Sequence, residues 1–221
     1  MVITNKLVIA DNIIQLFQNH NYEKYVLDIM NASKQTFPEA YEMIENQACG
    51  ECDFIAKESG KKFDAKIPFE TKQIKLLTSG KKHEPQILEW IKQLQDEESD
   101  FNPLEIRDNP SYDIADTKLY TIMKNQIERD KGDENIVFFL PYPMVLSVET
   151  SIFMQFCSDY LRAIYDRMKK DIDLSGRDIF VIYPSSEKNK FALRNLRQWN
   201  IEFVKYNELE SYFSCEVVNV E

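Results

Sequence analysis

CDFIAKESGKKFDAKIPF, residues 52–69, holds two short apolar runs, CDFIA and FDAKIPF, joined by KESGKK. Ser59-Gly60 supplies turn residues between them, so the stretch reads as a β-hairpin. In the second run Phe63, Ala65, Ile67 and Phe69 alternate with Asp64 and Lys66. Side chains two apart share a face, so Asp64 and Lys66 point away from the apolar set. Asp53 enters the first run two residues from its start. A hairpin destined for a core therefore places two carboxylates and an ammonium in its strands.

The flanking sequence makes this hairpin part of an α/β domain. Upstream, Ile13, Ile14 and Phe17 form a short apolar stripe. Tyr22, Tyr25, Val26, Ile29 and Met30 form a second at helical spacing, with Asn21 as N-cap. Residues 40–47 read as a strand or a short helix. Downstream, 86–95 reads as a helix with Ile87, Trp90, Ile91 and Leu94 on one face, 96–112 as an exposed loop, and 113–130 as a helix. NIVFFLPYP (135–143) reads as a buried strand. A long helix covers about 148–170, with Ile152, Phe156, Tyr160, Ile164 and Met168 along one side. IFVIYP (179–184) is the continuous apolar run of a strand covered on both faces. Residues 186–198 read as a helix, IEFVKY as a strand and NELESYF as a short final helix. Alternating strands and helices imply parallel pairs in this last third.

The 221 residues suffice for one domain with a sizeable insertion. A hydrophobic fraction of 43% with 12% aromatics fits a folded globular protein. Only 5 glycines occur, with no GxxxxGK[ST] and no GxGxxG, so no glycine-rich phosphate loop is available. The apolar run of four residues in MVITNKLVIADN is too short for a signal peptide. No run approaches the roughly 20 apolar residues of a membrane span. A cytoplasmic protein is expected. Two scattered histidines and no GxSxG argue against Ser-His-Asp catalysis. Cys49 and Cys52 form a CxxC without the second ligand pair of a zinc site, so buried structural cysteines are expected.

The net charge is −10, but residues 57–82 carry eight lysines against three acids, a local +5 that leaves −15 elsewhere. These lysines either solvate a hairpin edge or meet a polyanion. Lys61, Lys62 and Lys72 are the candidates here. Lys188, Lys190, Arg194 and Arg197 on the expected 186–198 helix could also contact phosphates, or form a solvated helix face.

Two carboxylates on adjacent strands offer an oxygen-rich site for Mg2+ or Mn2+. Without a cation they repel, and one pKa rises. Lys66, on the same face as Asp64, can position a water or stabilise charge on a phosphate. The bland reading is that Asp53 bonds the turn, while Asp64 and Lys66 form the wet face of a hairpin.

Asp53, ten intervening residues, then Asp64-Ala65-Lys66 resembles the signature of the PD-(D/E)xK nuclease superfamily, with its restriction-endonuclease-like fold. The resemblance implies a helix, three mostly antiparallel strands, a helix and a further strand in a mixed sheet flanked by helices. IFVIYPSSEKNKFALRNLRQWNIEFVKYNEL is similar to the close of restriction-type members. The implied core spans about 20–72 and 136–212 of a single domain, with an insertion at about 73–135. The departures are Cys52 in place of proline and Asp64 in place of the more usual glutamate. The resemblance implies a metal-dependent nuclease acting on DNA in preference to RNA, with RNA kept as the alternative substrate, in phage defence, restriction or repair. Asp53, Asp64 and the Ala65 carbonyl would bind Mg2+ or Mn2+, Lys66 would assist the attacking water, and Glu23 would be the helix acid, with Glu42 and Glu45 as alternatives. The acidic remainder points to a homodimer or a partner protein that completes the DNA-binding surface. The rival is a catalytically inactive module of the same fold: a subunit, an immunity factor or a DNA mimic.

Overall fold

The computed structural model describes residues 21–45, 52–69, 117–130, 134–140, 150–174, 176–185 and 190–206. The elements are α1 (Asn21–Ala32), β1 (Tyr41–Met43), β2 (Phe54–Ala56), β3 (Lys62–Lys66), α2 (Lys118–Arg129), β4 (Asn135–Phe139), α3 (Thr150–Asp171), β5 (Ile179–Pro184), β6 (Lys190–Asn195) and β7 (Ile201–Lys205). The fold is mixed α/β, and the seven strands form one sheet in chain order, β1 to β7. Strand pairs β1–β2 and β2–β3 are antiparallel, β3–β4 and β4–β5 parallel, and β5–β6 and β6–β7 antiparallel.

The hairpin forms as its sequence dictates. Phe54 lies opposite Phe63, and Ile55 opposite Lys62. Gly60 takes φ 68, a left-handed conformation that glycine adopts without steric cost. Ser59 donates through its amide (2.9 Å) and hydroxyl (2.7 Å) to Glu39, which ties the turn down.

Parallel neighbours need a crossover, and the helices provide it. The β3–β4 crossover contains α2 and the β4–β5 crossover contains α3. Thr117 caps α2 by accepting the Tyr120 amide. The core lies on both faces of the sheet. On one, Val26, Ile29 and Met30 of α1 pack with Phe54, Phe63, Ala65, Val137, Phe139 and Phe180. On the other, Tyr120, Met123 and Ile127 of α2 and Leu161, Ile164 and Met168 of α3 pack with Ile136, Phe138, Ile179 and Val181. The central strands β4 and β5 feed both clusters alternately, which is why they read as continuous apolar runs. α2, which lies within the expected insertion at about 73–135, is part of this core.

One element is corrected, and with it the parallel pairing expected in the last third, where β5, β6 and β7 pair antiparallel. Residues 190–195 form strand β6, where the sequence predicts a helix over 186–198. Phe191 and Leu193 enter the α1-side core and Ala192 the opposite one, so both faces are buried and no alternation shows. Leu, Ala, Arg and Lys favour helix locally, and tertiary context overrides that preference. The β6–β7 turn also lacks glycine. Asn195 Oδ1 accepts the amides of Arg197 (2.9 Å) and Gln198 (3.0 Å), and Trp199 takes φ 59 beneath the guanidinium groups of Arg194 and Arg162, 4.6 and 4.9 Å from its ring centre.

The expected elements at 13–17, 86–95, 96–112 and 207–213 lie outside the described residues. Among the described residues, no helix is long and apolar enough to cross a membrane.

Candidate functional site

The site is built where the β2–β3 ladder opens. Asp53 still donates its amide to Phe63 O (3.0 Å), but the next β3 amide, Ala65 N, bonds the Asp53 carboxylate at 2.7 Å. A side chain has replaced a backbone partner. Asp53 is thereby pinned to the strand that carries Asp64 and Lys66, and it is buried, at 8% exposure. Asp64 aligns with Ile136 and Lys66 with Phe138 of β4, whose side chains belong to the α2/α3-side cluster. Period-2 geometry therefore projects Asp64 and Lys66 on that side.

There the Lys66 ammonium forms an ion pair with Asp64, and its Nζ lies 3.5 Å from Oδ2 of Asp130. Side-chain exposures of 19% for Lys66, 18% for Asp64 and 13% for Asp130 make this an enclosed cluster rather than a wet hairpin face. Asp53 and Asp64 lie close enough for each carboxyl to shift the other's pKa. Burial, then the hydrogen bond to Asp53, pushes the Asp64 carboxyl up to about 6, against the opposing pull of Lys66. Burial also raises Asp53, with nearby Glu23 adding to it and the hydrogen bonds to Asp64 and Ala65 N opposing it. Asp130 is raised by burial and by contact with Asp64, against the attraction of Lys66.

Glu23, in the first turn of α1, is buried at 8% exposure and accepts the Tyr22 hydroxyl. Burial, then the charges of Glu23, Asp53 and Asp64, drives the Tyr22 hydroxyl far above its ordinary range. Glu23 is thus the acid close to Asp53. Glu42 instead sits on β1, half-exposed, and pairs with Lys57 at 2.8 Å. Glu45 is exposed.

Of the remaining predicted residues, Lys61 and Lys62 are exposed at the hairpin tip. Arg194 is not on a helix surface. It is 7% exposed on β6, with its guanidinium reaching the Tyr183 hydroxyl (3.4 Å) and Ser158 Oγ (3.3 Å) and lying over Trp199. That corrects its assignment as a phosphate contact, since its donors serve the core. Lys72, Lys188 and Cys49 lie outside the described residues. Cys52 is buried, and burial pushes its thiol up, consistent with a packing role.

Two members of the cluster escaped the sequence reading. Tyr22 belongs to an apolar helical stripe and gave no separate signal. Asp130 lies 64 positions beyond Lys66, at the C-cap of α2. Its place is fixed by Arg177, which donates to the carbonyls of Ile127 (3.3 Å) and Asp130 (2.7 Å) at the helix C-terminus.

Chemically, the arrangement offers two neighbouring carboxylates with an ammonium beside them. Among the described residues, no group of three or more His, Cys, Asp or Glu side chains is set to hold a metal ion. The oxygens are instead committed to Ala65 N, to Lys66 and to one another. Carboxylate oxygens are the donor type that a hard divalent cation takes. A scan against family models, a search of curated proteins and a search of solved structures each found no match to this chain.

Proposed function

We propose that this protein is a metal-dependent nuclease of the PD-(D/E)xK type. The observation that carries the reading is the convergence of Asp53, Asp64, Lys66 and Glu23 in one enclosed cluster, from a spacing that resembles that signature. The order α1-β1-β2-β3-α2-β4, with β3 and β4 parallel, supports it, because the resemblance implies a helix, three strands, a helix and a strand in that sequence.

In this reading Asp53 and Asp64, with the Ala65 carbonyl, hold Mg2+ or Mn2+. The bound cation supplies Lewis-acid stabilisation of charge developing on a scissile phosphate. Asp53 contributes an orientation fixed by the Ala65 amide. Lys66 orients the attacking water by donating to it and adds positive charge beside the phosphate. Glu23, braced by Tyr22, completes the acidic wall. Lys61 and Lys62, exposed on the same hairpin, would follow a nucleic-acid backbone, with DNA favoured over RNA. With a net charge of −10, the protein would draw further DNA-binding surface from a second copy or a partner protein.

A second reading has one observation in its favour: Lys66 already neutralises Asp64, as in a closed structural ion pair. The fold would then serve as a catalytically inactive interaction module. Cleavage of plasmid and single-stranded DNA with Mg2+ or Mn2+ separates the two. The nuclease reading expects cleavage by wild type that is abolished by EDTA, and reduced at least about 100-fold in both Asp64→Asn and Lys66→Ala. No cleavage with either cation favours the interaction module.

A further inference from the structure

We infer that Asp130 is a positioning residue that takes over the Lys66 ammonium when Asp64 is drawn to a cation. The inference rests on the nuclease reading and adds to it a reason why Lys66 does not block the site. Lys66 is held between two carboxylates from different elements: Asp64 on its own strand and Asp130 at the end of α2. The contact with Asp64 is the tighter, while Asp130 stands at 3.5 Å.

Three features make Asp130 the waiting partner. Its Oδ2 is buried and receives no hydrogen bond. Lys66 at 3.5 Å offsets only part of the desolvation cost of this oxygen, and a closer Lys66 would offset more. Its backbone is anchored, since its carbonyl accepts from Arg177 at 2.7 Å, so the carboxylate cannot drift off with a loose helix end. Finally, Gln126, one helical turn earlier, donates to Ile67 O at 2.9 Å and joins α2 to the chain just after Lys66. The helix end is therefore tied to the chain after Lys66 and, separately, to Arg177.

Asp64 cannot serve a divalent cation fully while it neutralises Lys66. With Asp130 beside it, a small rotation of the lysine side chain moves the ammonium from one carboxylate to the other. No charge is left unpaired, and Lys66 stays next to the reacting region. Without Asp130, the ammonium would compete with the cation for Asp64.

The test is Mn2+ titration calorimetry on the full chain, with circular dichroism to establish that each variant is folded. The variants are Asp130→Asn, Lys66→Met and the double substitution. Asp130→Asn should weaken Mn2+ binding by about five-fold or more, the scale of a partly enclosed ion pair. Lys66→Met should strengthen it by removing the competitor. In the Lys66→Met background, Asp130→Asn should have no effect, so the two substitutions are strongly non-additive. Equal weakening in both backgrounds would make Asp130 a direct ligand and overturn the inference, as would no weakening in either. If wild type binds no Mn2+, the nuclease reading itself fails and the hand-over falls with it. That result is distinct from binding that persists without coupling between the two substitutions.

Discussion

Asp64 and Glu202 are both partly buried carboxylates, and their surroundings are opposite. Glu202 on β7 is met by donors: Ser33 Oγ at 2.6 Å and the amides of Lys34 at 2.8 Å and Thr36 at 2.9 Å. Burial alone would raise its carboxyl, but these donors pull it down to about 2. Asp64 is pushed up to about 6 by burial and then by Asp53, against the pull of its ion-pair partner Lys66. The Glu202 cradle is a finished structure that closes the loop after α1 onto the far edge of the sheet. The Asp64 cluster sets three aspartates, Asp53, Asp64 and Asp130, around one lysine. The Glu202 carboxylate is surrounded by donors, whereas Asp64 has one donor, Lys66, and carboxylates beside it.

The comparison is most easily broken with Asp64→Asn. It should lower cleavage by at least about 100-fold while leaving stability unchanged or raised, since the substitution removes a repelling charge. A large loss of stability on urea denaturation would place Asp64 in the same structural role as Glu202.

Glu202→Ala should do the reverse. It orphans the Lys34 and Thr36 amides, and a loss of about 2–3 kcal/mol is expected from charged hydrogen bonds of this kind. Its Mn2+ affinity, read by calorimetry, should match wild type.

The pH dependences should also have opposite signs. The folded pKa of Glu202 lies below its unfolded value of about 4.3, so its contribution is present above that pH and is lost as pH falls toward 2. The folded pKa of Asp64 lies above its unfolded value of about 3.9, so the native state binds the extra proton. Its effect is fully present below that pH, and stability falls as pH rises from there toward 6. Denaturant midpoints recorded from pH 2 to 7 should show both slopes, with the upper one reduced in Asp64→Asn and the remainder carried by Asp53 and Asp130.

The smallest effect belongs to Lys57→Ala. Lys57 and Glu42 pair at 2.8 Å, but both are about half-exposed. A change within about 0.5 kcal/mol is expected in the same denaturation assay. A larger one would mean that surface pairs in this protein cannot serve as the neutral reference.

What could be read in advance was local. Phe63, Ala65 and Ile67 alternate with Asp64 and Lys66 beside a Ser59-Gly60 turn, so the hairpin and its charged face follow from period and turn chemistry. The α1 stripe and the β5 run are equally self-contained. What escaped depends on distant partners. β6 is buried on both faces by α1 and by the α2/α3 side, and neither can be seen in KFALRN. Asp130 gains its meaning from Lys66, and Glu202 from a loop that begins at Ser33. No local pattern marks a C-cap aspartate as the second partner of a lysine, or a glutamate on a terminal strand as the cap of a distant loop.

The account stands most directly on the thermal midpoint of wild type, Asp64→Asn and Glu202→Gln, each with and without Mn2+ at pH 7. Mn2+ should raise the midpoint of wild type and Glu202→Gln and leave Asp64→Asn unmoved, because binding to the folded state alone stabilises it. No shift in wild type, or an equal shift in all three, would contradict the assignment of the Asp53–Asp64 pair to a divalent cation.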